Sequence, residues 1–264
     1  MSSSISQKPT YDPHNKLVTS PFLSPTILAS IRLLIASYTL VTIIFVLVWD
    51  GVTDHTAGQF FSYFTDLTYT GICAYFWAAG VQGVGYVRRH RSGDIGYPLQ
   101  KWPRILQVLH LALQASIQTF PLLVTIVFWV LLCSDKTMST TVLRWRNISV
   151  HALNSVFCMF EVLCTNSPAM DWVMLPCMLV ILGGYLGLAY ITHATQGFYT
   201  YSFLDPSKEK PSMLAAYIVG ITLAEVIIFA LVWGMVKLRE RLTRKVEEDG
   251  ALEPEFEKKI GILG

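Results

Sequence analysis

Between Thr26 and Trp49 the chain carries a single charge, Arg32, in 24 residues. A run so long and so apolar suits a helix that crosses a bilayer, whose hydrocarbon core takes about 20 residues at 1.5 Å each. Comparable segments follow at roughly 60–87, 104–133, 147–164, 172–193 and 213–236. Only 14% of the residues are charged, against about a quarter in soluble domains. The chain therefore reads as all-α, a six-helix transmembrane bundle in one membrane domain over 25–236. Residues 1–24 read as a disordered polar tail, and 237–264 as a second tail that begins KLRERLTRK, a lipid contact or topology signal. The first apolar run is too long for a signal peptide and lacks a clear cleavage site.

Six spans place both termini on one side. The tails, Arg32 and the even loops hold fifteen of the twenty Lys and Arg; the odd loops hold Lys136, Arg144, Arg146, Lys208 and Lys210. The positive-inside rule then makes both termini cytosolic, in an endoplasmic reticulum, endomembrane or plasma membrane setting. The third segment contains Pro121 and is longer than a bilayer is thick, which predicts one tilted or kinked helix. The GG pair at 183–184 suggests close helix packing. Five scattered cysteines without a CxxC spacing read as small buried hydrophobes. The chain shows no Gly-rich phosphate loop, no metal-type cluster and no nucleic-acid signature, so no cofactor, metal or nucleic-acid partner is expected.

The fourth segment, NISVHALNSVFCMFEVLC, is apolar enough to enter a membrane. It nevertheless carries Asn147, His151, Asn154, Ser155, Cys158 and Glu161 at helical spacing. Such a stripe must face protein or a wet cavity, because hydrocarbon cannot satisfy it. Topology supplies depth. Thr65 lies about 7 Å and His151 about 6 Å below the outer surface at 1.5 Å per residue. Asp66, Asn154 and His193 fall at similar depth, so three helices bring a hydroxyl, an imidazole and a carboxylate into one layer. A nucleophilic hydrolase uses such a set: a weak Thr nucleophile, a His base, and an orienting partner such as Asp66 or Asn154.

Blander roles compete. A membrane Thr commonly bonds to its own helical turn. A His near a helix end commonly packs at the interface, and Asp66 suits an interfacial charge. Asn147 begins an N-glycosylation pattern, NIS, hard against the span. Deeper in the membrane, Arg32 and Glu161 come near the inner ends of their spans. An unpaired charge there is costly, which predicts a structural Arg32–Glu161 ion pair. His110 and Glu225 are also intramembrane, a scattered pair for a proton relay.

At these residues the chain resembles the androgen-induced gene 1 / androgen-dependent TFPI-regulating protein family. The resemblance rests on YFTDLTYTGIC at 63–73, NISVHALNSVFCMFE at 147–161 and GYLGLAYITHATQGFYTYSFLD at 184–205. It spans most of the helical body at low identity and leaves out the tails. It implies a six-span intramembrane threonine hydrolase of fatty acid esters of hydroxy fatty acids or related acyl esters. Thr65 falls at the family's nucleophile and His151 at its essential histidine. TDLT makes Thr68 a rival nucleophile, and the third block has one His and a one-residue insertion after His193. The expected partners are membrane lipids and a lipid ester entering from the bilayer. A non-catalytic lipid-binding or regulatory membrane protein is the alternative. A transporter is a third reading, for which no broken-helix pair or inverted repeat is visible.

Overall fold

The structure, a computed structural model, describes residues 11–260, with side chains through 244. All regular structure among them is helical. Helix α1 spans Pro25–Trp49 and continues as a π-turn over Asp50–Asp54. Ser24 starts it by accepting from the Ile27 N–H, with Pro25 in the first turn where no N–H is needed. Helix α2 spans Phe64–Arg91. Helix α3 runs unbroken over Arg104–Leu132, and α4 over Thr141–Cys164. Helix α5, Met174–Gln196, ends on Gly197 at φ +79°, the left-handed residue that commonly closes a helix. Helix α6 spans Pro211–Ile260.

Five of these helices, all but α2, are long and apolar enough to cross a membrane, so this is a multi-pass membrane protein. Helix α2 falls short because its sequence is too polar, and its position explains why that is tolerated. It buries Thr65, Asp66, Thr68, Tyr69 and Gln82 against the rest of the protein. Its contact with α1 is the most extensive between any two described helices. Small residues allow it: a Cβ on Gly80 would stand 2.7 Å from Leu33, and one on Gly83 3.0 Å from Ala29. Helix α3 is central and touches α2, α4, α5 and α6.

Arg32 and Glu161 meet at zero exposure and lock α1 to α4. The Arg32 Nε donates to Glu161 Oε2 at 3.2 Å, and Nη1 donates to the Leu17 carbonyl at 2.8 Å. Tyr75 and Ser167 hydroxyls donate to Glu161 Oε1 at 2.7 and 3.2 Å. The pair is thus enclosed in a complete set of partners, as a buried ion pair requires.

Several expectations need correction. Of the tail expected to be disordered, residues 1–10 lie outside the described residues, but 11–24 are folded onto the bundle. Leu17 and Val18 are buried. Asp12 accepts from the Lys16 and Leu17 N–H groups and from the Tyr97 hydroxyl. At the other end, α6 does not stop near 236. Arg239 is buried there and donates to the Val162 and Ser167 carbonyls. This arginine serves the packing of α6 on α4 rather than a lipid surface. Side chains 245–264 of the second tail lie outside those described. Helix α4 begins at Thr141, six residues before the expected start, because Thr140 caps it by accepting from the Leu143 N–H. Gly183 and Gly184 do not mediate close packing: a Cβ on either meets nothing within 4 Å.

Candidate functional site at the start of helix α2

Three helices end or begin together at the pole opposite the Arg32 lock, and each carries a π-turn there. These are Asp50–Asp54 in α1, Phe128–Leu132 in α3 and Ser149–Leu153 in α4. Such turns break the regular side-chain rows and often occur at functional sites. Arg146, one turn before the α4 π-turn, donates to Asp50 at 2.8 Å and stands 4.0 Å from Asp66. One guanidinium therefore ties α4 to the end of α1 and to the first turn of α2.

Thr65 is the second residue of α2, beside Asp66. The position matters chemically. Deeper in the helices, Thr42, Thr70, Thr125 and Thr222 each donate to the carbonyl four residues back. Behind Thr65 the chain is extended at Tyr63 after a 3-10 helix over Ala57–Ser62, so the α-helical ladder does not reach it, and among the described residues its hydroxyl makes no such bond. It lines a cavity of about 150 Å³ instead. Apolar side chains of α3, α5 and α6 form most of the wall, among them Val124, Phe128, Leu182 and Ile221. The Tyr201 ring, packed against Tyr63 and Tyr185, lines the same cavity as Thr65.

His151 sits within the α4 π-turn. Its ring stacks on Phe128 with centroids 3.7 Å apart and planes 5° apart. Phe128 also lines the cavity of Thr65, so the same phenyl ring borders both expected site residues. His151 Nδ1 is buried without a hydrogen-bond partner. Among the described residues no hydrogen bond joins His151 to Thr65. Trp129 fixes the backbone of this turn by donating to the His151 carbonyl at 3.0 Å.

The other expected residues are placed as follows. Asn154 is occupied elsewhere: it accepts from Thr125 at 3.0 Å and donates to the Pro121 carbonyl at 3.3 Å. It bridges α4 to α3 where proline interrupts the backbone ladder. His193 stacks on Tyr199 at 3.8 Å and borders a separate cleft with Asp205 and Lys208. Thr68 is buried with its hydroxyl unpaired and borders a third cleft, between α2, α3 and α5. Phe64 and Tyr185 separate this cleft from the Thr65 cavity, since both line each of them. Gly183 faces the Thr65 cavity and Gly184 the third cleft, so the glycine pair leaves room on both sides. Glu225 is fully buried in α6 with both oxygens unpaired, and His110 stacks on Tyr75 at 5.5 Å, away from the cavity.

Sequence reading missed Asp50, Phe128, Arg146 and Tyr201. Arg146 had a signal, an arginine directly before Asn147, where the polar stripe of that segment starts. Phe128 and Tyr201 had none, because one more aromatic in an apolar or aromatic-rich segment is unremarked. No group of three or more His, Cys, Asp or Glu side chains suited to a metal occurs among the described residues.

The fold and site define a helical multi-pass membrane protein with an apolar cavity lined in part by a threonine. No family model, characterised protein or solved structure matches the chain.

Proposed function

We propose that the protein is an intramembrane lipid-ester hydrolase with Thr65 as nucleophile and His151 as base. One observation carries the reading: Thr65 lines an apolar cavity, and its hydroxyl is free of its own helix. A cavity so apolar suits an acyl chain, and a hydroxyl on its wall meets the ester carbonyl at that chain's end. In the first step the Thr65 Oγ–carbon bond forms and His151 accepts the hydroxyl proton. The ester carbon–oxygen bond then breaks, and the alcohol leaves with that proton. Water attacks the acyl-threonine, gives its proton through His151 back to Thr65, and the free acid departs. The imidazole and hydroxyl lie without a direct bond in the free protein. Such bonds commonly tighten only when substrate is bound.

Six spans, with α2 the enclosed sixth, and cytosolic termini complete the proposal. They put Thr65 near the exoplasmic face of an endomembrane or plasma membrane. Fatty acid esters of hydroxy fatty acids and related acyl esters are the substrate class, following the motif resemblance. The missing Thr65–His151 hydrogen bond favours a second reading, a lipid-binding protein without catalysis. Purified protein assayed on a long-chain acyl ester separates the two. Thr65→Ala and His151→Ala each reduce turnover to background under the first reading, and a fluorophosphonate probe labels Thr65. Turnover at background in wild type as well as in both variants, with no label at Thr65, leaves the lipid-binding reading.

A further inference from the structure

Attack on an ester concentrates negative charge on the carbonyl oxygen, and an apolar cavity offers that charge little. The hydroxyls around the cavity are few, and most are committed. Thr222 donates to the Ile218 carbonyl at 2.8 Å. Tyr185 donates to the Ser62 carbonyl at 3.0 Å and reaches Thr200 at 3.3 Å. Tyr201 differs. It lines the same cavity as Thr65, and among the described residues no carbonyl or carboxylate claims its hydroxyl. Its ring lies 6.3 Å from that of Tyr185, whose own proton is engaged by the Ser62 carbonyl, so Tyr201 is the phenol free to donate to an incoming oxygen.

We propose that Tyr201 is a catalytic residue, the side-chain hydrogen-bond donor to the carbonyl oxygen of an ester attacked by Thr65. The inference rests on the hydrolase reading above and deepens it. Its geometry follows from the shared cavity: Thr65 and Tyr201 line one wall, so an ester seated there for attack by Thr65 presents its carbonyl oxygen to that polar end. The Thr65 N–H is the second donor: it belongs to the first turn of α2, no side chain caps that turn, and the helix dipole there favours negative charge. Packing holds the ring in place. Tyr201 stacks on Phe203 with centroids 5.2 Å and planes 4° apart, and meets Tyr63 edge-on at 6.0 Å. Burial, then the neighbouring Tyr185, push the phenol well above the ordinary tyrosine range, so it keeps its proton. During attack the carbonyl electron pair moves onto oxygen as the Thr65 Oγ–carbon bond forms. Tyr201 shares its proton with that oxygen without giving it up, and the pair returns as the alcohol leaves.

The test is steady-state hydrolysis of a long-chain umbelliferyl ester by purified wild type, Tyr201→Phe and Thr65→Ala in detergent micelles. Tyr201→Phe keeps the ring and its stacking. It is expected to lower kcat about 10²–10³-fold, as loss of one such donor does elsewhere, with KM within a few-fold. Turnover abolished by Thr65→Ala but unchanged by Tyr201→Phe overturns the role of Tyr201 alone. Turnover that survives Thr65→Ala overturns Thr65 as the nucleophile and the role of Tyr201 with it. Should Tyr201→Phe not fold, difluorotyrosine at position 201 keeps the shape and strengthens the donor. A shift of kcat at constant KM then supports the proposal, and an unchanged kcat overturns it.

Discussion

The imidazole of His151 lies flat on the phenyl ring of Phe128, 3.7 Å from centre to centre. A π-turn in α4 presents one ring and a π-turn in α3 the other. Orientation of a base is worth much to a reaction, since a misplacement of about 1 Å costs about 10²-fold. Phe128→Leu keeps an apolar side chain but removes buried volume, so it costs stability, though less than the about 3–5 kcal/mol of a Phe→Ala truncation. Its kcat/KM on a long-chain ester is expected to fall about 10- to 100-fold. Thermal unfolding measured on the same preparation tells this apart from a folding defect. Undiminished activity means the stack does not position the base.

Gly183 gives a direct test of the cavity. A Cβ there meets nothing, so Gly183→Ala fits and gains about 1 kcal/mol of helix propensity. Gly183→Trp fills the space that faces Thr65. Turnover is expected to be retained in the alanine variant and lost in the tryptophan variant, with melting temperatures near wild type in both. Full activity of the tryptophan variant places the acyl chain elsewhere.

Thr68 and Thr65 stand one turn apart but border different clefts. Thr68→Ala removes an unpaired buried hydroxyl and is expected to leave kcat within about three-fold and stability equal or higher, because burying an unsatisfied polar group is costly. Thr65→Ala removes turnover. The opposite ranking of the two variants makes Thr68 the nucleophile.

Arg32 and Glu161 have no exposure, so removing one partner strands the other. Arg32→Met or Glu161→Gln is expected to cost about 3–5 kcal/mol, and the double variant less than the sum of the two. Denaturant unfolding in mixed micelles measures all three. Additive losses mean the two residues act independently.

Asn147 begins a glycosylation pattern, yet its side-chain amide donates to the Thr137 carbonyl at 2.8 Å. Ser149, its third residue, is fully buried and bonded to Tyr38 at 2.7 Å. The pattern lies inside α4, where no transferase can reach it. Protein expressed in a glycosylating host is expected to show no mobility shift on treatment with an amidase for N-linked sugars. A shift that Asn147→Gln abolishes contradicts this placement of α4.

Sequence alone determined the helices and the two charges that meet between them. An apolar run of membrane length has few options other than helix, and a lone Arg in one run and a lone Glu in another must find each other or water. It also singled out Thr65 by its depth in a span expected from about Phe60; that the α-helix starts only at Phe64, which leaves this hydroxyl outside the regular helical ladder, came from the structure. What tertiary structure decided is who stands beside these residues. Asn154, marked as a helper of His151, bonds instead to the carbonyl of Pro121 on a neighbouring helix. Residues 11–24, polar in composition, fold onto the bundle because Arg32, Tyr97 and Gln100 offer their backbone and Asp12 partners. The glycine pair in α5 makes room rather than contact. The pattern in each case is local, but the partner comes from a distant part of the chain. Periodicity along one helix specifies which side is polar and leaves open which helix lies across from it.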